Sequence, residues 1–178
     1  NITAWAEKMG KADSDIVTAA FIKIVDGVAV DTFNFPDKNF RDVVKTFDTD
    51  DNNILSDTEI AAVKKIDCKG RAITNLKGIE YFTALEYLYC SDNALTALNL
   101  SSNSKLTNLN ASGNIREITL TGNTFDLSSL TGFDVSKARN WQGGTVSGST
   151  LTVDEKAAVV AYSYDTGCTK TGLEDVVF

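Results

Sequence analysis

Oxygen-bearing side chains crowd into one stretch of this sequence, DTDDNNILSDTE from Asp48 to Glu59. Asp48, Asp50 and Asn52 stand at the first, third and fifth places of a twelve-residue loop. Ile54 would offer its carbonyl at the seventh, Ser56 its hydroxyl at the ninth, through a water, and Glu59 both carboxylate oxygens at the twelfth. Hard oxygen ligands in this alternation are what Ca²⁺ requires, and the spacing is that of an EF-hand loop. The sixth place normally holds glycine, for a sharp turn at positive φ. Here it is Asn53, the residue type that tolerates that region best after glycine. A second reading stands beside the first. Ser56-x-x-Glu59 is a capping box for a following helix, and an acidic turn can serve that purpose without metal.

Little else in the sequence offers chemistry. There is no histidine, which removes every triad, dyad or metal site built on imidazole. The other acidic side chains are spread over solvent faces. A hydrolase using two carboxylates therefore finds no convergent pair, and the chain reads as non-enzymatic. With 24 acidic against 17 basic residues the net charge is −7, which argues against nucleic acid or an anionic membrane as partner. No apolar run approaches the ~20 residues that span a bilayer. The chain opens on Asn1 and its only methionine is Met9, so a processed or trimmed chain is expected. Of three cysteines, Cys68 and Cys90 take the same slot of successive repeats and are read as buried thiols, while Cys168 falls in a polar, exposed loop.

The elements that position the loop follow from periodicity. Pro36 suits the first turn of a helix, and Phe40, Val43, Val44 and Phe47 give that helix an apolar face. Residues 34–65 therefore read as helix, loop, helix. Next comes a repeat of the form L-x-x-L-x-L-x-x-N-x-L. In LEYLYCSDNAL the apolar slots are Leu85, Leu88, Cys90 and Leu95, with Asn93 at the turn. Val63, Ile66, Cys68 and Ile73 precede it in the same slots, and Leu106, Leu109, Ala111 and Asn114 follow. Ile115, Ile118, Leu120 and Asn123 then match Leu95, Leu98, Leu100 and Asn103, so they are expected to point inward along a return path. A last, degenerate turn opens at Leu127 with Leu130 and Phe133. Starts at Val63, Leu85, Leu106 and Leu127 recur every 21 or 22 residues, within the leucine-rich range.

The fold class expected is thus a short α/β leucine-rich-repeat solenoid of about 3–4 turns over residues 63–135. It carries an EF-hand-like helix-loop-helix cap over 34–65 and a small β-rich cap over 136–178. In that last region a turn at Ser147-Gly148-Ser149 pairs Thr145-Val146 with Thr150 to Val153, and 157–165 and 173–178 are further strand candidates. Residues 1–33 admit either a hairpin about Asp26-Gly27 or a helix burying Ile16, Val17, Ala20, Phe21 and Ile24.

Alternation along the repeat strands directs a second set of residues outward, onto the concave face of such a solenoid. These are Lys65, Asp67 and Lys69, Tyr87, Tyr89 and Ser91, and Asn108, Asn110 and Ser112. Lys65, Asp67, Tyr87, Tyr89, Asn108 and Asn110 are the candidate binding residues, with the two tyrosines as anchor, since tyrosine supplies area and a hydrogen-bonding tip at small entropic cost. The alternative is that the tyrosines only cover the sheet or pack on the N-terminal segment.

NFPDKNFRDVV, the acidic loop, the cysteine-bearing repeats and FDLSSLTGFDVSKARNWQGGTVSGSTLTV together resemble the bacterial cell-surface leucine-rich-repeat proteins of the internalin-like kind. The resemblance implies a secreted or surface-attached protein with stacked cysteines, a face for a protein or glycan partner, and no catalytic residues. A structural spacer within a larger surface protein, with no ligand of its own, is the alternative.

Overall fold

The computed structural model describes residues 27–120 and 122–178. The alternative hairpin and helix readings of the N-terminal segment therefore fall mainly outside the described residues. Its final part, Val28–Ala29 (β1), pairs antiparallel with Ile54–Leu55 (β2), which leads out of the acidic loop.

Lys38–Val44 forms a helix (α1) whose N-cap is Asp37, with the Phe40 amide donating to its carboxylate at 3.0 Å. Pro36 therefore sits just ahead of the cap and not in the first turn, as its sequence position had suggested. The Asp37 side chain is the stronger start signal, because it satisfies a helix amide that would otherwise be orphaned. Phe40, Val43 and Val44 are buried. They meet an aromatic cluster in which Phe35 lies 6.2 Å from Phe40 and Phe47 lies 5.7 Å from Phe82, centroid to centroid. A 3₁₀ turn over Lys45–Phe47 leads into the acidic loop, and Asp57–Ala62 (α2) follows with the complete Ser56/Glu59 capping box. Ile66 of the next strand is then fully buried.

Lys65–Asp67 (β3), Tyr87–Tyr89 (β4) and Asn108–Asn110 (β5) form a parallel sheet in which Lys65 aligns with Tyr87 and Asn108, and Asp67 with Tyr89 and Asn110. Buried Ile66 and Leu88 face the core, and Cys68, Cys90 and Ala111 are buried just past the strand ends. The leucine-rich architecture is the fold of this region. Asn93 secures the turn between repeats. Its Oδ1 accepts from the amides of Arg71 and Ile73 at 2.9 and 3.0 Å, and its Nδ2 donates to the carbonyls of Cys68, Cys90 and Ser91. Asn114 repeats the device one turn on, accepting from Leu95 and donating to Cys90 and Ala111. Buried backbone groups must find partners, and a side chain that both donates and accepts satisfies them in two adjacent turns.

The third return path departs from its expected place. Ile115 is 70% exposed, Ile118 is 38% exposed and Asn123 is exposed, whereas Leu95, Leu98, Leu100 and Asn103 are buried. The C-terminal part of the chain lies against Leu95–Leu100 instead. Leu100 donates its amide to the Thr166 carbonyl at 2.7 Å, and the Tyr162 hydroxyl donates to the Thr96 carbonyl at 2.7 Å. The degenerate fourth turn differs as well. Thr124–Asp126 (β6) leads into a 3₁₀ turn over Leu127–Ser129, so Leu127 and Leu130 enter a second small core with Leu151 and no fourth parallel strand forms there.

Ala138–Gln142 (β7), Gly144–Ser147 (β8), Thr150–Val153 (β9), Ala161–Asp165 (β10) and Asp175–Val177 (β11) complete the described strands. They make two antiparallel sheets, ordered β6-β9-β8 and β11-β10-β7. The β8–β9 hairpin closes through Gly148 and Ser149, with Gly148 at φ +59, the place a II′ turn assigns to glycine. Tyr162 stacks on Trp141 at 4.5 Å and meets Phe133 edge-on at 5.6 Å. Aromatic side chains bury roughly 150–250 Å² each, so such a cluster outweighs the two isoleucines and one leucine of the displaced segment. Cys168, expected on the surface, is buried in the main core, its amide donating to the Thr166 hydroxyl.

Candidate functional site

Two places merit chemical scrutiny, the acidic loop and the outer face of the repeat sheet. In the loop, carboxylate oxygens of Asp48, Asp50 and Glu59 lie within 4.8 Å of one another. Ligands on opposite sides of a calcium ion, at about 2.3–2.6 Å each, stand about that far apart, so these three fit a common ion. The backbone turns sharply, with Asp51 at φ +56 and Asn53 at φ +62. Asn53 thus adopts the conformation for which the loop normally takes glycine. Its amide donates to Asp48 Oδ2 at 2.7 Å, and the Asn52 amide donates to Asp48 Oδ1 at 3.2 Å, which fixes the first carboxylate.

Glu59 reaches across the loop. Its Oε1 accepts from the Thr49 amide and hydroxyl, both at 2.6 Å, and its Oε2 from the Ser56 amide and hydroxyl at 2.9 and 2.8 Å. The Thr49 hydroxyl foremost, with the Ser56 and Thr49 amides and the Ser56 hydroxyl, holds this carboxyl down at about 2. It is therefore ionised across the whole range in which proteins work. The remaining expected ligands have other engagements. Asn52 Oδ1 accepts from the Ile54 amide at 2.7 Å, Ile54 is paired with Ala29, and the Ser56 hydroxyl is part of the capping box. The metal and capping readings thus share Glu59 and Ser56.

On the outer face of the sheet, Lys65, Asp67, Asn108, Asn110 and Tyr87 are exposed, Tyr87 at 38%, and Tyr89 is half-buried. Lys65 and Tyr89 are drawn together, Nζ lying 4.9 Å from the ring centroid, and Lys65 also lies 3.9 Å from Asp67. Asn110 Oδ1 accepts from the Ser112 amide and hydroxyl, and Asn108 donates to the Thr107 hydroxyl. Ser91 does not share the face. It is buried, and its carbonyl accepts from Gly70 and Asn93, because the chain leaves the strand before it. Beside Lys65 a cleft of about 290 Å³ opens, lined by Asp42, Val43, Thr46, Phe47, Lys65, Asp67 and Arg71. Sequence reasoning missed this cleft, since it joins α1 to β3 across a gap in the chain that no periodicity spans. It also missed a larger apolar cleft of about 850 Å³ under Ile115 and Ile118. The one signal for that is the sequence Asn114-Ile115, which lacks the residue that separates Asn93 from Leu95 one repeat earlier.

No protein-family model matches the chain. Internalin J of Listeria monocytogenes serotype 4b (strain F2365) is 36% identical over 70 residues, which are 39% of this chain and 8% of that protein. The chain resembles the internalins in sequence. This internalin-like chain thus spans a small part of the curated relative it matches. A solved functional domain of InlJ from Listeria monocytogenes, described as including a cysteine ladder, is 28% identical, over 51% of this chain and 21% of its own, with a TM-score of 0.41. The CBM51-2 and INT domains of Clostridium perfringens ZmpB are 16% identical over 88% of this chain and 36% of theirs, with a TM-score of 0.51, a likeness of fold alone. Among the described residues no helix is long and apolar enough to cross a membrane.

Proposed function

We propose that this chain is a non-enzymatic recognition module of a bacterial surface or secreted protein. It binds a protein or glycan through the outer, concave face of its repeat sheet, and a calcium-holding loop clamps its N-terminal end. The observation that carries the reading is the pair of rows Lys65–Tyr87–Asn108 and Asp67–Tyr89–Asn110 in one register on one exposed face. Such a row alternates charge, aromatic surface and amide, which suits hydrogen bonding around a central aromatic anchor. The internalin-like resemblance supports the surface setting. A catalytic reading is not favoured, since no nucleophile and base converge among the described residues.

Calcium would be held by Asp48, Asp50, Asn52, the Ile54 carbonyl, Ser56 and Glu59. The ion would neutralise the repulsion among the carboxylates and tie the loop to α2, whose capping box contains Glu59. The helix-loop-helix then acts as the cap of the solenoid's first turn, and the two antiparallel sheets act as the cap of its last.

The test is a screen of the intact chain against protein and glycan arrays, run beside Tyr87→Ser/Tyr89→Ser. A partner retained by the wild type and lost by a variant that melts at the same temperature supports the reading. A partner bound equally by both moves the binding site elsewhere. Blank arrays for the wild type favour the spacer role, which is the weaker of the two because the Tyr87 side chain is exposed and makes no hydrogen bond among the described residues.

A further inference from the structure

We infer that residues 115–120 are a displaced repeat turn that competes with β10 and the Thr166 that follows it for one slot beside Leu95–Leu100. The C-terminal sheet is then a releasable latch. Ile115-x-x-Ile118-x-Leu120-x-x-Asn123 copies the spacing of Leu95-x-x-Leu98-x-Leu100-x-x-Asn103 residue for residue. In a solenoid that spacing seats each turn on its predecessor. The seat is taken, however, by Thr166, which accepts the Leu100 amide, and by Tyr162, which donates to Thr96.

Among the described residues the backbone hydrogen bonds of the displaced segment lie at its start, where Ile115 donates to the Asn93 carbonyl at 3.0 Å and Asn114 just before it accepts from Leu95. Among the described residues, Arg116 through Leu120 make no backbone-to-backbone hydrogen bond. Ile115 and Ile118 stand exposed over the 850 Å³ cleft, whose walls include Leu95, Leu130, Trp141 and Tyr162. Ile115, largely in water, and Ile118, partly so, hold unused burial energy beside this cleft.

The slot also carries a sign that its native neighbour is missing. Asn103 is fully buried and donates to the Ile79 and Phe82 carbonyls, yet its Oδ1 has no partner among the described residues. A buried acceptor left bare is costly, and the turn that follows in a complete repeat would bring polar groups beside it. When the latch opens, Ile115–Leu120 folds onto Leu95–Leu100, the third turn closes, and the aromatic face of Trp141, Tyr162 and Phe178 is freed.

Amide hydrogen exchange of the intact chain tests this through the sign of two responses. Ile115→Ser/Ile118→Ser disables the competitor. Competition predicts that the Leu100 amide and those of 161–165 become about tenfold more protected, since the open state loses its stabilising contacts. Simple packing of the two isoleucines against the cleft predicts less protection, and unchanged or lower protection overturns the inference. Tyr162→Phe removes the bond to Thr96 and is conservative enough to fold. It should expose the Leu100 amide while the amides of 116–120 gain protection. Exposure of Leu100 with 116–120 still unprotected means that the C-terminal sheet merely frays, and the latch is rejected.

Discussion

Asn93 does the work of several residues. It satisfies two amides of the preceding turn and three carbonyls around it, and it is itself buried. Asn93→Ala leaves those groups without partners, at roughly 1–3 kcal/mol for each that water cannot reach. A loss of about 3 kcal/mol or more is expected in urea unfolding, with a melting point lower by about 10 °C. Asn93→Asp keeps the acceptor and loses the donor, so it should fall between. The cysteines make a second prediction at this scale. Burial pushes the Cys68 thiol up to about 12, with the Asp67 charge adding to it, and burial pushes Cys90 higher still. Only the thiolate attacks a disulfide reagent. Both should resist thiol labelling at pH 8 in the folded chain and react promptly in guanidinium.

Asp37 couples two elements. It caps α1 through Phe40, and its other oxygen accepts from the Thr74 amide and hydroxyl, both at 2.9 Å, which ties the helix to the first repeat. Asp37→Ala should cost about 1–2 kcal/mol, read as a shift in urea midpoint without a change in slope. Burial pulls this carboxyl upward, but hydrogen bonds from Phe40 and Thr74 outweigh it and the group ends below its ordinary value. A lowered folded value means that its stabilisation is present above the unfolded value near 4 and fades as pH falls below it. Asp37→Asn should flatten that part of the stability profile.

The same scale shows what the sequence could and could not reveal. Strands β3 to β5 were legible because Ile66, Leu88 and Leu109 recur at a spacing that only stacked turns explain. The helix starting at Lys38 was legible from Phe40, Val43 and Val44. β7 was not, because Asn140 takes a positive φ and a bulge breaks its alternation opposite Ala161–Ser163. The fate of Ile115–Leu120 was hidden for a different reason. Periodicity says that a segment fits a slot but not whether a distant strand with a larger aromatic payload fits it better. In the acidic loop, sequence spacing identified which carboxylates converge. It could not tell how fully Ser56 and Glu59 are committed to capping, since both roles use the same residues.

At the scale of the molecule, loop, repeats and C-terminal strands share one core. Phe35 ahead of α1, Phe40 within it, Leu88 in the repeats and Tyr162 in β10 belong to the same buried cluster. A ligand held at the acidic loop should therefore stabilise the chain as a unit, because anything that binds only the folded state raises its stability by mass action. With the weak affinity of extracellular calcium modules, 10 mM calcium contributes about 1.5–3 kcal/mol and lifts the melting point by about 3–10 °C. The central claim, a recognition module whose repeats are clamped at their N-terminal end by calcium, is tested most directly by calorimetric titration. Calcium is added to the chelator-stripped intact chain and to Glu59→Gln, and both are then melted. The account predicts one saturable site in the wild type, a single melting transition that rises with calcium, and neither effect in Glu59→Gln. No heat and no shift at 10 mM calcium in the wild type would contradict it and leave Asp48 to Glu59 as a helix-capping turn.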